Sequence, residues 1–478
     1  MTRKAIATGL VVVGVLAGCS APTPIISSLP SPTPTVTPDS TPGPGADGLG
    51  DAYYPMSGNG GYDVAHYDLD LRYVPATDRL SGAATITAKA TEGLTSFNLD
   101  LTGLTVEEVT VDGAPARADR NGSELVITPA TPIPAGRDFV VAVRYGGVPA
   151  ATREEGLGEI GFLHTDNGAI AIGEPHVAAS WFPVNDHPRD KATYTIGIAA
   201  PENLSALSNG ILRGKTTADG FTTWEWDVTK PMAPYLATIV IGDYRVREST
   251  HDGMPVVQAV DTDLPATIDA LIARSGEVVD FLEERFGPYP FDALGGIVID
   301  DQRIRFALEN QTRPIYGRGF FDAGDDGMWV IVHELAHQWY GDSVSVNEWK
   351  EIWLNEGFAS YAEWLWSEAE GTQTAQQIFN RFYESRNSEL WFIPPGDPGE
   401  DDLFSSSVYI RGAMTLHALR VTVGDEDFFN ILKAWASEKA HSNATTKEFI
   451  ALAERISGEQ LDDLFDAWLY SKERPSRP

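Results

Sequence analysis

The sequence predicts a multidomain chain, an N-terminal antiparallel all-β domain followed by an α+β, mostly helical domain. Three observations carry this. Between about residues 53 and 245 apolar residues recur with period two: Tyr67, Leu69, Leu71 and Tyr73 alternate with His66, Asp68, Asp70 and Arg72, as in a half-buried strand. From Leu264 onward the pattern changes to helical runs. Over 478 residues, 42% hydrophobic and 10% aromatic content suffices for ordinary globular cores in two or three domains.

Residues 1–18 are set aside from the fold as a signal peptide. Arg3 and Lys4 make a positive start, and Ala5 to Leu16 form an apolar run too short to span a bilayer comfortably. Leu16-Ala17-Gly18-Cys19 resembles a bacterial lipoprotein cleavage box, the alternative being a plain secretory signal. Cys19 is the only cysteine and falls where lipidation requires one, so a membrane-anchored, extracytoplasmic bacterial lipoprotein is expected. With no second thiol, no internal disulfide forms and the core alone must hold the fold. Residues 19–52 are rich in Pro, Thr, Ser and Gly without apolar periodicity, and read as a disordered tether. From Ser20 to about Gly50, roughly thirty residues at about 3.1 Å each reach up to roughly 90 Å. The net charge of −33 excludes nucleic acid as a partner, because a phosphate backbone would be repelled.

The β domain is expected over residues 53–245. Strand-like runs follow at Ala84–Ala88, Phe97–Leu101, Val106–Val111, Leu125–Ile127 and Phe139–Tyr145, divided by turns such as Asp112-Gly113 and Gly146-Gly147. Ala192–Ile198, Thr222–Val228 and Tyr235–Ile241 continue the pattern. The second domain is expected over residues 246–478. Ala266 to Phe286 reads as one helix closed by Gly287-Pro288, and Gly295–Asp300 as a strand. Helices follow at Lys350–Glu368, Arg411–Val423, Asp427–Lys439, Thr446–Ile456 and Leu461–Ser471. Thr445 with Glu448, and Ser457 with Gln460, have the spacing of capping boxes for the last two.

Between these runs lies His333-Glu334-Leu335-Ala336-His337. Four residues apart on a helix, His333 and His337 lean toward one point, and two imidazoles so placed suit zinc. Glu334 sits where a metal-bound water needs a base. The surrounding Met328–Val332 and Gln338–Tyr340 are bulky or apolar, so polar ligands here would be costly without a role. Glu356 lies 19 residues after His337 and completes a His-His-Glu set if its helix folds back, leaving the fourth position for water. Glu363, two turns further, is placed to hydrogen-bond a histidine ligand from behind, or else faces solvent.

The wider pattern resembles the gluzincin aminopeptidases, the aminopeptidase N-like family. Ala307-Leu308-Glu309-Asn310 is similar to that family's exopeptidase motif, with Glu309 lying 24 residues before His333. Tyr409-Ile410-Arg411-Gly412-Ala413 is similar to its Tyr-x-Lys-Gly-Ala segment. Phe182–Pro188 with Lys191–Tyr194, Ala206–Gly210 and Met232–Leu236 match in kind. The resemblance implies a thermolysin-like catalytic domain and a zinc peptidase holding one Zn2+ per chain on His333, His337 and Glu356. It implies Glu334 as general base, Tyr409 as hydrogen-bond donor to the oxyanion, and Glu309 with Glu174 as anchors for a substrate's free N-terminus. The expected partners are peptides with a free N-terminus.

The chain departs from the family where Phe306 replaces the motif's glycine and Leu308 its methionine, which puts side-chain preference in question. It also ends soon after the catalytic segment, where larger relatives carry domains that roof the cleft, so a more open cleft is expected. Two alternatives remain at this stage: a metalloendopeptidase, and a non-catalytic surface lipoprotein that keeps the fold.

Overall fold

The computed structural model describes residues 41–154, 156–321, 327–386 and 389–478. The signal peptide, Cys19 and the tether as far as residue 40 lie outside the described residues. Alternation such as that of Tyr62–Val74, buried at Tyr67, Leu69, Leu71 and Tyr73 and exposed at Asp68, Asp70 and Arg72, builds an eight-stranded sheet. Its strands lie in the order 211–218, 221–232, 192–201, 62–74, 79–90, 138–147, 105–111 and 114–115. Neighbours are antiparallel, save that Ala192–Pro201 runs parallel to Tyr62–Val74. A five-stranded sheet (151–154, 158–164, 169–172, 239–242, 205–208) adds to the domain, and the loop after its Ala169–Ile172 strand carries Glu174.

The tether expected to reach residue 52 is corrected at its end. Gly43–Pro44 pairs with the strand Leu94–Asp100, the Gly43 N–H donating to Gly93 O at 2.9 Å and that of Gly45 to Ser96 O at 2.8 Å. Asp51 is buried because its carboxylate accepts from Tyr53 N and Tyr54 N, from Trp349 N at 2.9 Å, and from His187 Nε2 at 3.2 Å. Long-range hydrogen bonds of this kind order a segment that has no apolar period of its own.

The second domain is built on a five-stranded sheet, in the order 244–251, 254–261, 294–299, 315–317, 307–308, so that Ala307–Leu308 is an edge strand. Around it lie α1 (Thr267–Ile272), α2 (Ser275–Phe286), α3 (Met328–Ala336), α4 (Trp353–Ala369), α5 (Ala375–Tyr383), α6 (Glu389–Phe392), α7 (Gly412–Val423), α8 (Asp425–Glu438), α9 (Thr446–Ser457) and α10 (Asp462–Phe465). The single helix expected over 266–286 is therefore two. The Ile272 carbonyl is taken by Ser275 Oγ at 2.6 Å and Gln258 Nε2 at 2.5 Å, and Arg274 leaves helical geometry. Tyr235–Ile241 begins with a 3-10 turn at Pro234–Leu236, so its strand is only Ile239–Gly242. Thr445 and Glu448 do form a capping box, but Ser457 and Gln460 do not. Gly458 at φ 73° ends α9, which leaves Ser457 in its last turn bonding back to Ala453 O.

Candidate active site

Helix α3 is buried on nearly every side by Val330, Ile331, Val332, Leu335 and Ala336, which holds His333 and Glu334 in a fixed frame. His337 is its C-cap and keeps helical backbone angles, so the one-turn relation between the two imidazoles survives to the helix end. Helix α4 packs against α3 and presents Glu356 from its first turn, where a carboxylate also suits the positive end of the helix dipole.

Each imidazole is locked through its Nδ1. That of His333 donates to Glu363 Oε1 at 2.7 Å, and that of His337 to the Tyr340 carbonyl at 3.0 Å. In the neutral ring this leaves Nε2 as an acceptor. The two Nε2 atoms stand 3.1 Å and 3.4 Å from Glu356 Oε2. Three acceptors so close together call for a cation. Ligands about 2 Å from a tetrahedral zinc ion lie roughly 3.3 Å apart, so the donor set fits zinc in type and in spacing. Although burial lowers it, Glu356 and Glu309 hold His337 up to about 9, the same attraction that a dication would satisfy.

A cavity of about 410 Å3 opens over these atoms, lined by Glu174, Glu309, Glu334, Glu356, Glu363 and Tyr409 among others and, among the described residues, by no lysine or arginine. Ligating atoms of Glu309, Glu334 and His337 also lie within 4.8 Å of one another. Burial, opposed by the two histidines and reinforced by Glu309 and Glu356, pushes Glu334 up to about 8. Burial, then Glu309, Glu356 and Glu334, raises Glu174 well above the usual carboxylate range, and its Oε2 is buried without a hydrogen bond. So much unneutralised carboxylate favours bound cations, both a metal and an ammonium. Tyr409 comes from a π-helical turn, Ser407–Arg411, with its ring stacked 6.0 Å from that of His333. Burial and the same carboxylates raise its phenol far above 10, which keeps it a donor.

The structure thus brings His333, His337, Glu356, Glu334, Glu363, Glu309, Glu174 and Tyr409 to one cavity. Two residues that sequence reasoning does not single out hold them there. Tyr235 donates its hydroxyl to Glu309 Oε1 at 2.8 Å. Gln338, next to the second histidine, donates from Nε2 to Glu309 O at 2.8 Å and accepts from Thr312 N at 2.7 Å, tying the edge strand to the metal-site helix. Tyr235 lies within the Met232–Leu236 block, but nothing in that block points to Glu309, 74 positions away.

Residues 272–468 match the family model for the peptidase family M1 domain, and residues 64–236 that for the peptidase M1 N-terminal domain. Aminopeptidase M1 of Arabidopsis thaliana is 29% identical over 332 residues, covering 65% of this chain and 37% of that protein. Human glutamyl aminopeptidase is 27% identical over 332 residues, covering 64% and 35%. The chain spans half or less of the length of such relatives. The crystal structure of an M1 zinc metallopeptidase from Deinococcus radiodurans superposes with a TM-score of 0.83 at 28% identity, covering 90% of this chain and 99% of that one. A mutant of that enzyme has been crystallised with a Tyr-Ser-Ala substrate, and superposes equally well.

Proposed function

We propose that this chain, which belongs to the peptidase M1 family, is a zinc-dependent aminopeptidase that releases N-terminal residues from peptides. The observation that carries the reading is Glu309: a buried carboxylate, oriented by Tyr235, stands beside Glu334 and His337 in a cavity that no lysine or arginine lines among the described residues. A free peptide amine is the cation that such a group receives, and it then lies one residue from the carbonyl to be attacked.

His333, His337 and Glu356 would hold the zinc ion, which when bound would supply Lewis acidity to the scissile carbonyl and to the attacking water. Glu309 and Glu174 bind the ammonium and set the register of the substrate. Glu334 takes the proton of the attacking water and passes it to the leaving amine. Tyr409 donates its hydroxyl to the oxygen on which negative charge develops, stabilising the transition state more than the ground state. Glu363 keeps His333 in the tautomer whose Nε2 faces the metal position. The open edge of Ala307–Leu308 offers backbone groups to an extended peptide.

The lipobox-like segment ending in Cys19 and the Pro-rich stretch after it support an extracytoplasmic location with a lipid anchor. Among the described residues no helix is long and apolar enough to cross a membrane. A Cys19→Ala variant that remained in the membrane fraction would remove this part of the reading.

The activity is tested with free and N-acetylated forms of the same short peptides, with and without a chelator. The expected result is zinc-dependent cleavage of the free-amine form alone. Equal cleavage of the acetylated form would make the protein an endopeptidase, and no cleavage after zinc addition would leave a binding protein.

A further inference from the structure

We propose that the leaving-group side of the cleft is an aromatic subsite, built from Phe306, Phe320 and Trp329. It selects peptides with an aromatic or large aliphatic side chain immediately after the cleaved bond. The inference rests on the aminopeptidase reading, which places the substrate amine at Glu309.

That placement sets the direction of the peptide. Ala307–Leu308 is an edge strand, paired with Ile315–Tyr316 on one side only. Beyond Glu309 the path is closed: Asn310 and Gln311 are fully buried, and Asn310 Nδ2 is bound to Leu236 O at 2.9 Å. A peptide whose N-terminus sits at Glu309 therefore runs back along the edge, antiparallel, toward Phe306. At about 3.3 Å per residue, Phe306 lies roughly 10 Å from Glu309. The scissile bond is one residue from the amine, so Phe306 flanks the leaving peptide rather than the residue released.

The facing wall comes from α3. Trp329 precedes His333 by four residues and so lies one turn away on the same face of the helix. It is 40% exposed, whereas every other tryptophan of the chain is buried. Phe320 meets it edge to face, with ring centroids 5.5 Å apart and planes at 73°. All three rings line the cavity that holds the metal ligands. An exposed aromatic surface inside a cleft gains by covering itself with an apolar side chain. Five glutamates and, among the described residues, no lysine or arginine line the same cavity, so an acidic side chain at that position is disfavoured.

The test is kcat/KM for the zinc-loaded protein on Ala-Phe-Ala, Ala-Leu-Ala, Ala-Ser-Ala and Ala-Asp-Ala. The Phe and Leu peptides should exceed the Ser peptide by about tenfold or more, with the Asp peptide slowest. Phe306→Gly and Trp329→Ala should each shrink the Phe-to-Ser ratio severalfold, chiefly through KM, and Trp329→Phe should retain it. Equal rates on all four peptides, or a ratio unchanged in both truncated variants, would overturn the subsite and leave the aminopeptidase standing. Failure to cleave any of the four would overturn both.

Discussion

Gly357 and Gly412 stand in contact where α4, which carries Glu356, crosses the start of α7, three residues after Tyr409. A Cβ added to Gly412 would fall 2.8 Å from the Cα of Gly357, and one added to Gly357 would fall 2.9 Å from the backbone of Gly412. Backbone meets backbone here, so no flexible side chain can yield. The distance between the metal site and the Tyr409 hydroxyl is set by this crossing.

Gly412→Ala should therefore separate the two helices and displace Tyr409. Overpacking of this kind costs about 1–3 kcal/mol of stability, and an ångström of misplacement costs roughly 100-fold in rate. Steady-state kinetics with zinc content measured in parallel checks this. A variant with normal kcat would show that the contact does not position Tyr409.

Tyr235→Phe removes a side-chain hydrogen bond that orients Glu309. Losing a hydrogen bond to a charged group costs about 1.5–3 kcal/mol, so kcat/KM on a free-amine peptide should fall by roughly 10- to 100-fold. Because the phenol does not touch the metal ligands, zinc affinity should stay as it is. A drop in zinc content instead would assign Tyr235 to the fold of the metal site.

Glu363→Ala frees the Nδ1 of His333 and with it the ring's tautomer. Loss of such an outer partner typically weakens metal affinity by about 10- to 100-fold. Competition against a chromogenic zinc chelator measures this directly. Equal affinity in variant and wild type would mean that the 2.7 Å contact is incidental.

Stability should fall as pH rises through neutrality, because of carboxyls far from the metal. Burial pushes Asp190 up to about 8 against hydrogen bonds from Val64 N and Asn185, and pushes Asp186 up to about 7. Burial and the charge of Asp186 also raise Asp100, and burial with the charge of Asp100 raises Glu124. A folded-state value above the unfolded one means that the native protein holds the extra proton between about pH 4 and 8. The stability linked to that proton is complete below pH 4 and is lost as pH climbs through 8. Lys191 has the opposite sign: burial lowers it to about 7, so its contribution grows from pH 7 toward 10.5. Urea midpoints at pH 5 and pH 8 should show a smaller loss for Asp190→Asn than for the wild type. An unchanged slope would show that Asp190 is ionised throughout.

What was legible in the sequence was whatever a short stretch determines by itself. His333 and His337 are one helical turn apart in any helix, and the period-two run through Tyr67 to Tyr73 buries one face in any sheet. Glu356 was readable from its spacing behind His337, whereas Glu309 and Tyr409 needed a family pattern, since nothing local says which of 68 acidic residues or 16 tyrosines will arrive at the cavity. The features that stayed hidden depend on partners distant in sequence. Gln258 and Ser275 break the helix expected over 266–286 by claiming Ile272 O, Tyr235 reaches Glu309 across 74 positions, and Asp51 meets Trp349 across 298. Ser457 had the right spacing for a cap, but the left-handed Gly458 decided otherwise.

The Asp51 junction has a mechanical consequence. A pull on the chain from residue 41 is taken first by the bonds of Gly43 to Gly93 and of Gly45 to Ser96, then by those at Ala46, Leu49 and Gly50, and after them by the four donors gathered on Asp51. One of those donors is Trp349 N, seven residues before Glu356. The segment acts as a strain relief whose last clamp is fixed both to the approach of α4, through Trp349, and to the β domain, through His187, so load that passed the strand pairing would be shared between them.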